Sequence, residues 1–149
     1  MIDVAVVDYG MGNLGSISRA VEECGGDFVI SDDPKTLASV SKVILPGVGA
    51  FGDGMRNLKS GSWIDGFQEY VVERGLPLLG ICLGMQLLAD EGTEGGNNQG
   101  LGLISGTVDK LKPKNENERV PHVGWNEVYR KRENVLLSGV PDCTDFYFV

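Results

Sequence analysis

Residues 76–88 read LPLLGICLGMQLL. The first six, Leu76 to Ile81, form a short apolar run without polar alternation, which predicts a parallel strand covered on both faces. Met85 to Leu88 predict the start of a helix. Between them Gly80, Cys82 and Gly84 make a G-x-nucleophile-x-G turn, placed where that pattern has mechanical meaning. A sharp strand-to-helix turn holds its middle residue in a strained conformation, and the two glycines let neighbouring backbone come close. The thiol then projects at the carboxyl end of the sheet, where open α/β sheets bind ligands. A helix N-terminus beside it favours thiolate over thiol. The Leu83 N–H is free to donate to a developing oxyanion. A lone cysteine is more commonly structural, but this setting singles Cys82 out from Cys24, read as helix-end packing, and Cys143, read as a loop thiol.

Upstream, the same grammar repeats three times. Residues 2–8 (IDVAVVD), 27–31 (DFVIS) and 42–45 (KVIL) read as strands. Leu14, Ile17, Ala20 and Val21 lie at helical spacing before Gly25-Gly26 ends that helix. Asp33-Pro34 starts a short helix as N-cap and first position. Trp63, Ile64, Phe67 and Val71 share one face of a helix over 63–74, with Ser62 as its cap and Gly75 and Pro77 as its stop. Four strands alternating with helices predict an α/β, mostly parallel sheet flanked by helices. The Gly-rich loop 46–62 follows the third strand, and its Pro46-Gly47-Val48-Gly49 start can lie beside the elbow. Backbone N–H groups of Val48 or Gly49 and of Leu83 would then stabilise a tetrahedral intermediate by roughly 3 kcal/mol each.

After about residue 90 the pattern changes. A polar loop at 92–100, strands in GLGLIS and TVDKL, an exposed turn at 112–119, and PHVGWNEV and FYFV predict a more antiparallel extension. There is no repeat and no linker, so 1–149 reads as one domain. The formal net charge is -8, which argues against nucleic acid, since phosphate binding needs clustered Lys and Arg. Three cysteines at irregular spacing make no disulfide framework and no metal site. The absence of a signal peptide or a long apolar stretch predicts a reduced, cytoplasmic protein with no membrane span.

One motif points elsewhere. Gly10, Gly12 and Gly15 fit G-x-G-x-x-G between a strand and a helix, with Asp32 about 20 residues on. That is the fingerprint of a dinucleotide-binding oxidoreductase. It leaves the Cys82 elbow and the 46–49 loop unexplained, and no second mononucleotide-binding half follows.

Taken together, GICLGMQLL at 80–88, VVDYGMGNL at 6–14, LPGVGAFGDGM at 45–55, GLGLISGTV at 101–109 and PHVGWNEV at 121–128 resemble the class I glutamine amidotransferases, and within them the glutaminase subunit of imidazole glycerol phosphate synthase. The resemblance runs along essentially the whole chain. It implies a flavodoxin-like amidotransferase fold and no cofactor. It implies that Cys82 attacks the glutamine side-chain amide, that Val48 and Leu83 donate to the oxyanion, and that Gly49, Gln86 and Glu94 hold the glutamine. The ammonia would pass to a (β/α)8-barrel cyclase subunit that forms imidazole glycerol phosphate and a purine precursor in histidine biosynthesis. Asn13, His122 and Trp125 fall in segments that resemble the partner-facing parts.

The sequence departs from the pattern in one respect. The mechanism needs a base beside the thiol and a carboxylate to orient it, which the resemblance assigns to a His and a Glu near the C-terminus. The only histidine here, His122, matches the interface motif instead. The chain stops at Phe146-Tyr147-Phe148-Val149, so the sequence predicts a C-terminally incomplete glutaminase that is inactive alone. Two other readings share the fold: a paralogue feeding ammonia to amino-sugar assembly for a surface polysaccharide, and a degenerate interaction subunit.

Overall fold

The computed structural model describes residues 2–115 and 118–149. It divides into two compact units, one running to Lys110 and one from Leu111 to Val149.

The first unit is built on a four-stranded parallel sheet in the order β2-β1-β3-β4, from β1 (Val4–Val7), β2 (Phe28–Ser31), β3 (Lys42–Leu45) and β4 (Leu78–Gly80). β1 sits inside the sheet, and Ala5, Val6 and Val7 are fully buried. Burial on both faces is why its sequence is an unbroken apolar run. Helix α1 (Leu14–Glu23) is capped by Asn13, whose Oδ1 accepts from the Ser16 N–H at 3.1 Å. On the predicted face Leu14, Ile17 and Val21 are half-buried. Ala20, expected there too, is exposed, and Ser18 is buried in its place with its hydroxyl donating to the Leu14 carbonyl. The segment after Asp33 is a 3-10 helix, Pro34–Ser39, capped by the Asp33 carboxylate on the Lys35 N–H.

Helix α2 (Phe51–Ser60) lies in the Gly-rich loop. The predicted helix over 63–74 divides into α3 (Trp63–Gly66) and a π-helical segment, Phe67–Glu73. Its apolar face is as expected, with Trp63 and Phe67 packed 5.6 Å apart in the core. Ser62 is not the expected cap. It sits in the left-handed region at φ 58° and its side chain makes no capping hydrogen bond. Helix α4 (Leu83–Gln86) follows β4.

Beyond α4 the chain forms a second, three-stranded sheet in the order β6-β5-β7, from β5 (Ala89–Gly92), β6 (Asn98–Gln99) and β7 (Ile104–Val108). Two expectations are corrected here. The polar loop at 92–100 contains β6, paired antiparallel to β5, and GLGLIS and TVDKL contribute to one strand, which runs parallel to β5. In the second unit β8 (Gly124–Val128) and β9 (Thr144–Phe148) pair antiparallel, as the sequence predicts. The expected turn at 112–119 includes Glu116 and Asn117, which lie outside the described residues. Among the described residues no helix is long and apolar enough to cross a membrane.

Candidate active site

Cys82 stands between β4 and α4 with φ 54° and ψ -118°. An L-residue reaches that conformation only under constraint, at a cost of order 1–3 kcal/mol. The constraint is visible on both sides of it. The Ile81 N–H donates to the Leu45 carbonyl at 2.9 Å, and the Gly84 N–H turns back to the Ile81 carbonyl at 3.0 Å. A Cβ at Gly84 would lie 1.9 Å from the Leu45 carbonyl oxygen, and one at Gly80 would lie 2.6 Å from the Met85 Cα. Glycine is required at both positions because backbone, not a movable side chain, occupies the space. The elbow is therefore pressed directly onto the end of β3.

The 46–49 loop is pressed there too. A Cβ at Gly47 would come within 2.7 Å of the Gly84 nitrogen and 2.8 Å of the Leu83 Cβ. The thiol is exposed, in a cavity of about 700 Å³ lined by Val48, Gly49, Cys82, Leu83, Gln86, Thr93, Glu94, Gly95, Val108, Asp109 and Lys110. Cys82 and the five residues singled out around it thus line one hollow within the first unit. The Leu83 N–H opens α4, where no carbonyl of the helix can reach it. The helical field at Cys82 is less than the sequence suggested, since α4 has only four residues and the dipole grows from aligned peptides.

Glu94 carries a structural bond as well. Its Oε2 accepts from the Phe51 N–H at 3.0 Å, capping α2 across the cavity wall in the way a side-chain oxygen satisfies an orphan helix donor. Sequence reasoning missed Thr93, Asp109 and Lys110. The Thr93 hydroxyl donates to Asp109 Oδ1 at 2.5 Å, and the Lys110 N–H to the same oxygen at 3.0 Å. These residues bring a carboxylate and an ammonium to a site that otherwise has only the Glu94 charge. Their signal was weak, because Asp109 and Lys110 follow a strand, β7, whose parallel pairing was not foreseen, and Thr93 sits in the polar stretch after β5.

The candidates outside the cavity are placed as follows. Asn13 is exposed and caps α1. In the second unit the His122 ring stacks on Phe148 at 4.9 Å, with its Nε2 hydrogen-bonded to Asn126 Nδ2 at 2.5 Å. Trp125 is 69% exposed and meets Tyr147 edge-on at 5.5 Å. Cys24 ends α1 with its thiol at the surface rather than packed, and Cys143, also exposed, has φ 62°.

The profile described as "Glutamine amidotransferase class-I" matches residues 5–149. The chain belongs to the class I glutamine amidotransferases. Among relatives of this amidotransferase, the imidazole glycerol phosphate synthase subunit HisH of Moorella thermoacetica is 47% identical over 149 residues, covering 100% of this chain and 69% of that one. The subunit HisH 1 of Campylobacter jejuni serotype O:23/36 is 43% identical, with 98% of this chain and 72% of the relative aligned. The subunit HisH of Geobacter metallireducens is also 43% identical, over 100% of this chain and 72% of the relative. A solved structure described as "Crystal structure of glutamine amidotransferase" superposes with a TM-score of 0.65 at 21% identity, covering 83% of this chain and 62% of that chain. At that identity the superposition speaks for the amidotransferase fold alone. The same fold accounts for two of these glycines without a dinucleotide: Gly10 has φ 80°, with its N–H bonded to Asp8 Oδ1 at the turn into α1, and a Cβ at Gly12 would press on the Pro46 ring at 3.2 Å, whereas one at Gly15 would meet only Asn13 Oδ1 at 4.0 Å.

Proposed function

We propose that this chain is the glutamine-hydrolysing subunit of an imidazole glycerol phosphate synthase, acting in histidine biosynthesis. One observation carries the reading: an exposed thiol at a strained elbow opens into the hollow that Val48, Gly49, Leu83, Gln86 and Glu94 line. Cys82 Sγ adds to the side-chain amide carbon of glutamine. The oxygen of that carbonyl takes up negative charge, and the N–H groups of Val48 and Leu83 receive it; donors of this type contribute roughly 3 kcal/mol each to the transition state. Collapse breaks the C–N bond. The nitrogen takes a proton and leaves as ammonia, and a glutamyl thioester remains. Water then adds to the thioester, and glutamate departs with return of the thiol. Gly49, Gln86 and Glu94 hold the glutamine, the carboxylate of Glu94 suiting its α-ammonium.

The proton transfers need a base near the sulfur. His122 is not assigned that role, because its ring is taken up by Phe148 and Asn126. The ammonia passes to a cyclase subunit of (β/α)8-barrel form, and Asn13, His122 and Trp125 are proposed to face it. Residues 1–149 serve as one glutaminase domain in this reading.

The test is covalent trapping. The diazoketone analogue of glutamine should label the peptide that carries Cys82, and excess glutamine should protect it. Equal labelling of Cys24 and Cys143, or labelling that glutamine does not slow, refutes the proposal.

A further inference from the structure

The side chain of Asn98 has no part in the chemistry above. β5 and β6 form a hairpin with Gly92 opposite Asn98, and Glu94 sits in its tip. Asn98 Nδ2 reaches across that tip, donating to the Glu94 carbonyl at 3.0 Å and to the Gly96 carbonyl at 2.9 Å. Both partners are acceptors, so they fix which end of the amide faces them. The tip has little else to hold it. Gly95 and Gly96 stand at φ 71° and 121°, and open space lies beside both. Glycines in such a turn have the most freedom to lose on folding.

The clamped tip is seated on the start of α2. Ala50 stands at the N-cap of that helix and supplies no side-chain acceptor. Glu94 Oε2 takes that place by accepting the Phe51 N–H at 3.0 Å. The fit around this bond is tight. A Cβ at Gly92 would lie 2.6 Å from the Phe51 ring, and one at Gly52 would lie 2.8 Å from Asn98 Oδ1. The Asn98 amide is thus held between the hairpin tip and the first turn of α2. It lines a separate hollow with Gly52 and Met55 and not the Cys82 cavity, so it does not touch substrate.

We propose that Asn98 is a positioning residue for Glu94. By closing the tip it sets the direction of the Glu94 side chain, so that Oε2 caps α2 while the carboxylate faces the cavity that Glu94 lines. A carboxylate on an unclamped glycine-rich tip would have to be ordered by the ligand. Ordering it beforehand removes that cost from binding. The contact served is the one with the α-ammonium of glutamine, so the inference rests on the glutaminase reading and deepens it.

The test uses Asn98→Leu, which keeps the branched shape and removes the donor, with Asn98→Ala as a second, smaller replacement. The first readout needs no glutamine. It is hydrogen exchange at the Phe51 amide, followed by NMR. Losing the clamp should speed this exchange about tenfold, toward the rate in Glu94→Ala. The Ile81 amide, bonded to the Leu45 carbonyl, should keep its rate. The second readout is the glutamine concentration that half-protects Cys82 from the diazoketone analogue. It should rise about tenfold in Asn98→Leu, the cost of ordering one side chain, with labelling in the absence of glutamine unchanged. In a Glu94→Ala background the same substitution should raise it no further. A merely structural role would not give that pattern. Wild-type exchange at Phe51 in both Asn98 variants overturns the proposal. So does unchanged protection, or a loss that adds in full to that of Glu94→Ala. Slower labelling without glutamine in both variants overturns it too, since Asn98 would then act on the elbow. Glutamine that fails to protect the wild type refutes the glutaminase reading, and the Phe51 amide then still decides whether Asn98 holds Glu94.

Discussion

Gly84→Ala adds one methyl group where the structure leaves no room for it. The new Cβ would stand 1.9 Å from the Leu45 carbonyl oxygen, 2.7 Å from the Leu45 carbon and 3.1 Å from the Pro46 carbon. Carbon and oxygen approach comfortably to about 3.3 Å, so the elbow and the end of β3 must separate by roughly 1.4 Å. No rotamer change relieves this, because the obstructing atoms are backbone, and the same carbonyl accepts the Ile81 N–H. Overpacking a core costs about 1–3 kcal/mol. With backbone on both sides the upper figure applies, which is a fall of about 9 °C in melting temperature for a chain of this size. The displacement also carries Val48 away from Cys82, and a misplacement of about 1 Å costs on the order of 100-fold in rate. The assay is the rate of Cys82 labelling by the diazoketone analogue, with thermal unfolding of the same sample. Gly15→Ala is the control. It makes the same chemical change inside α1, where the nearest atom to the new Cβ is Asn13 Oδ1 at 4.0 Å. It should stabilise by about 0.5–1 kcal/mol through helix propensity and leave labelling unchanged. Wild-type labelling and melting in Gly84→Ala would show that the elbow is not held by β3, and the account of Cys82 would fail with it.

Three further outcomes follow from the same geometry. Cys82→Gly removes the thiol and the strain at φ 54° together; it should abolish analogue labelling while raising stability by about 1 kcal/mol over Cys82→Ala in denaturant titration. Glu94→Ala should lose about 1 kcal/mol through the uncapped Phe51 N–H, whereas Glu94→Gln keeps an acceptor and most of that stability. Both should weaken protection of Cys82 by glutamine, and protection intact in Glu94→Gln counts against a charge contact. Tyr9 gives an alkaline signature. Its folded value, pushed from 10 to about 12 by burial and then by the negative charge of Cys82, means that the folded state holds this proton more tightly than the unfolded chain. The contribution is complete below about pH 10 and is lost as the pH rises toward about 12, by roughly 2–3 kcal/mol. Urea unfolding across that window should show this loss in the wild type and not in Tyr9→Phe.

Gln86 and Glu94 were reached only through the resemblance to the amidotransferases, whereas the sequence by itself determined the parallel four-stranded sheet and the elbow. Each is written in a local code: unbroken apolar runs for strands covered on both faces, and glycines flanking a cysteine at a strand end. Even the join between elbow and loop was readable, because strands that are neighbours in a parallel sheet bring their carboxyl-end loops together. What only the tertiary structure decided depends on pairings between distant segments. The parallel match of β5 with β7 places Asp109 and Lys110 in the cavity, and no local pattern distinguishes it from an antiparallel one. The bond from Glu94 to Phe51 joins residues 43 apart. The 3-10 and π-helical segments reflect packing in which propensity has little say. Asn98 looks in sequence like one more polar residue of a glycine-rich loop. Its meaning arises only where the hairpin tip meets the first turn of α2, since the helix start that it presses on comes from a distant part of the chain and folding alone brings the two together.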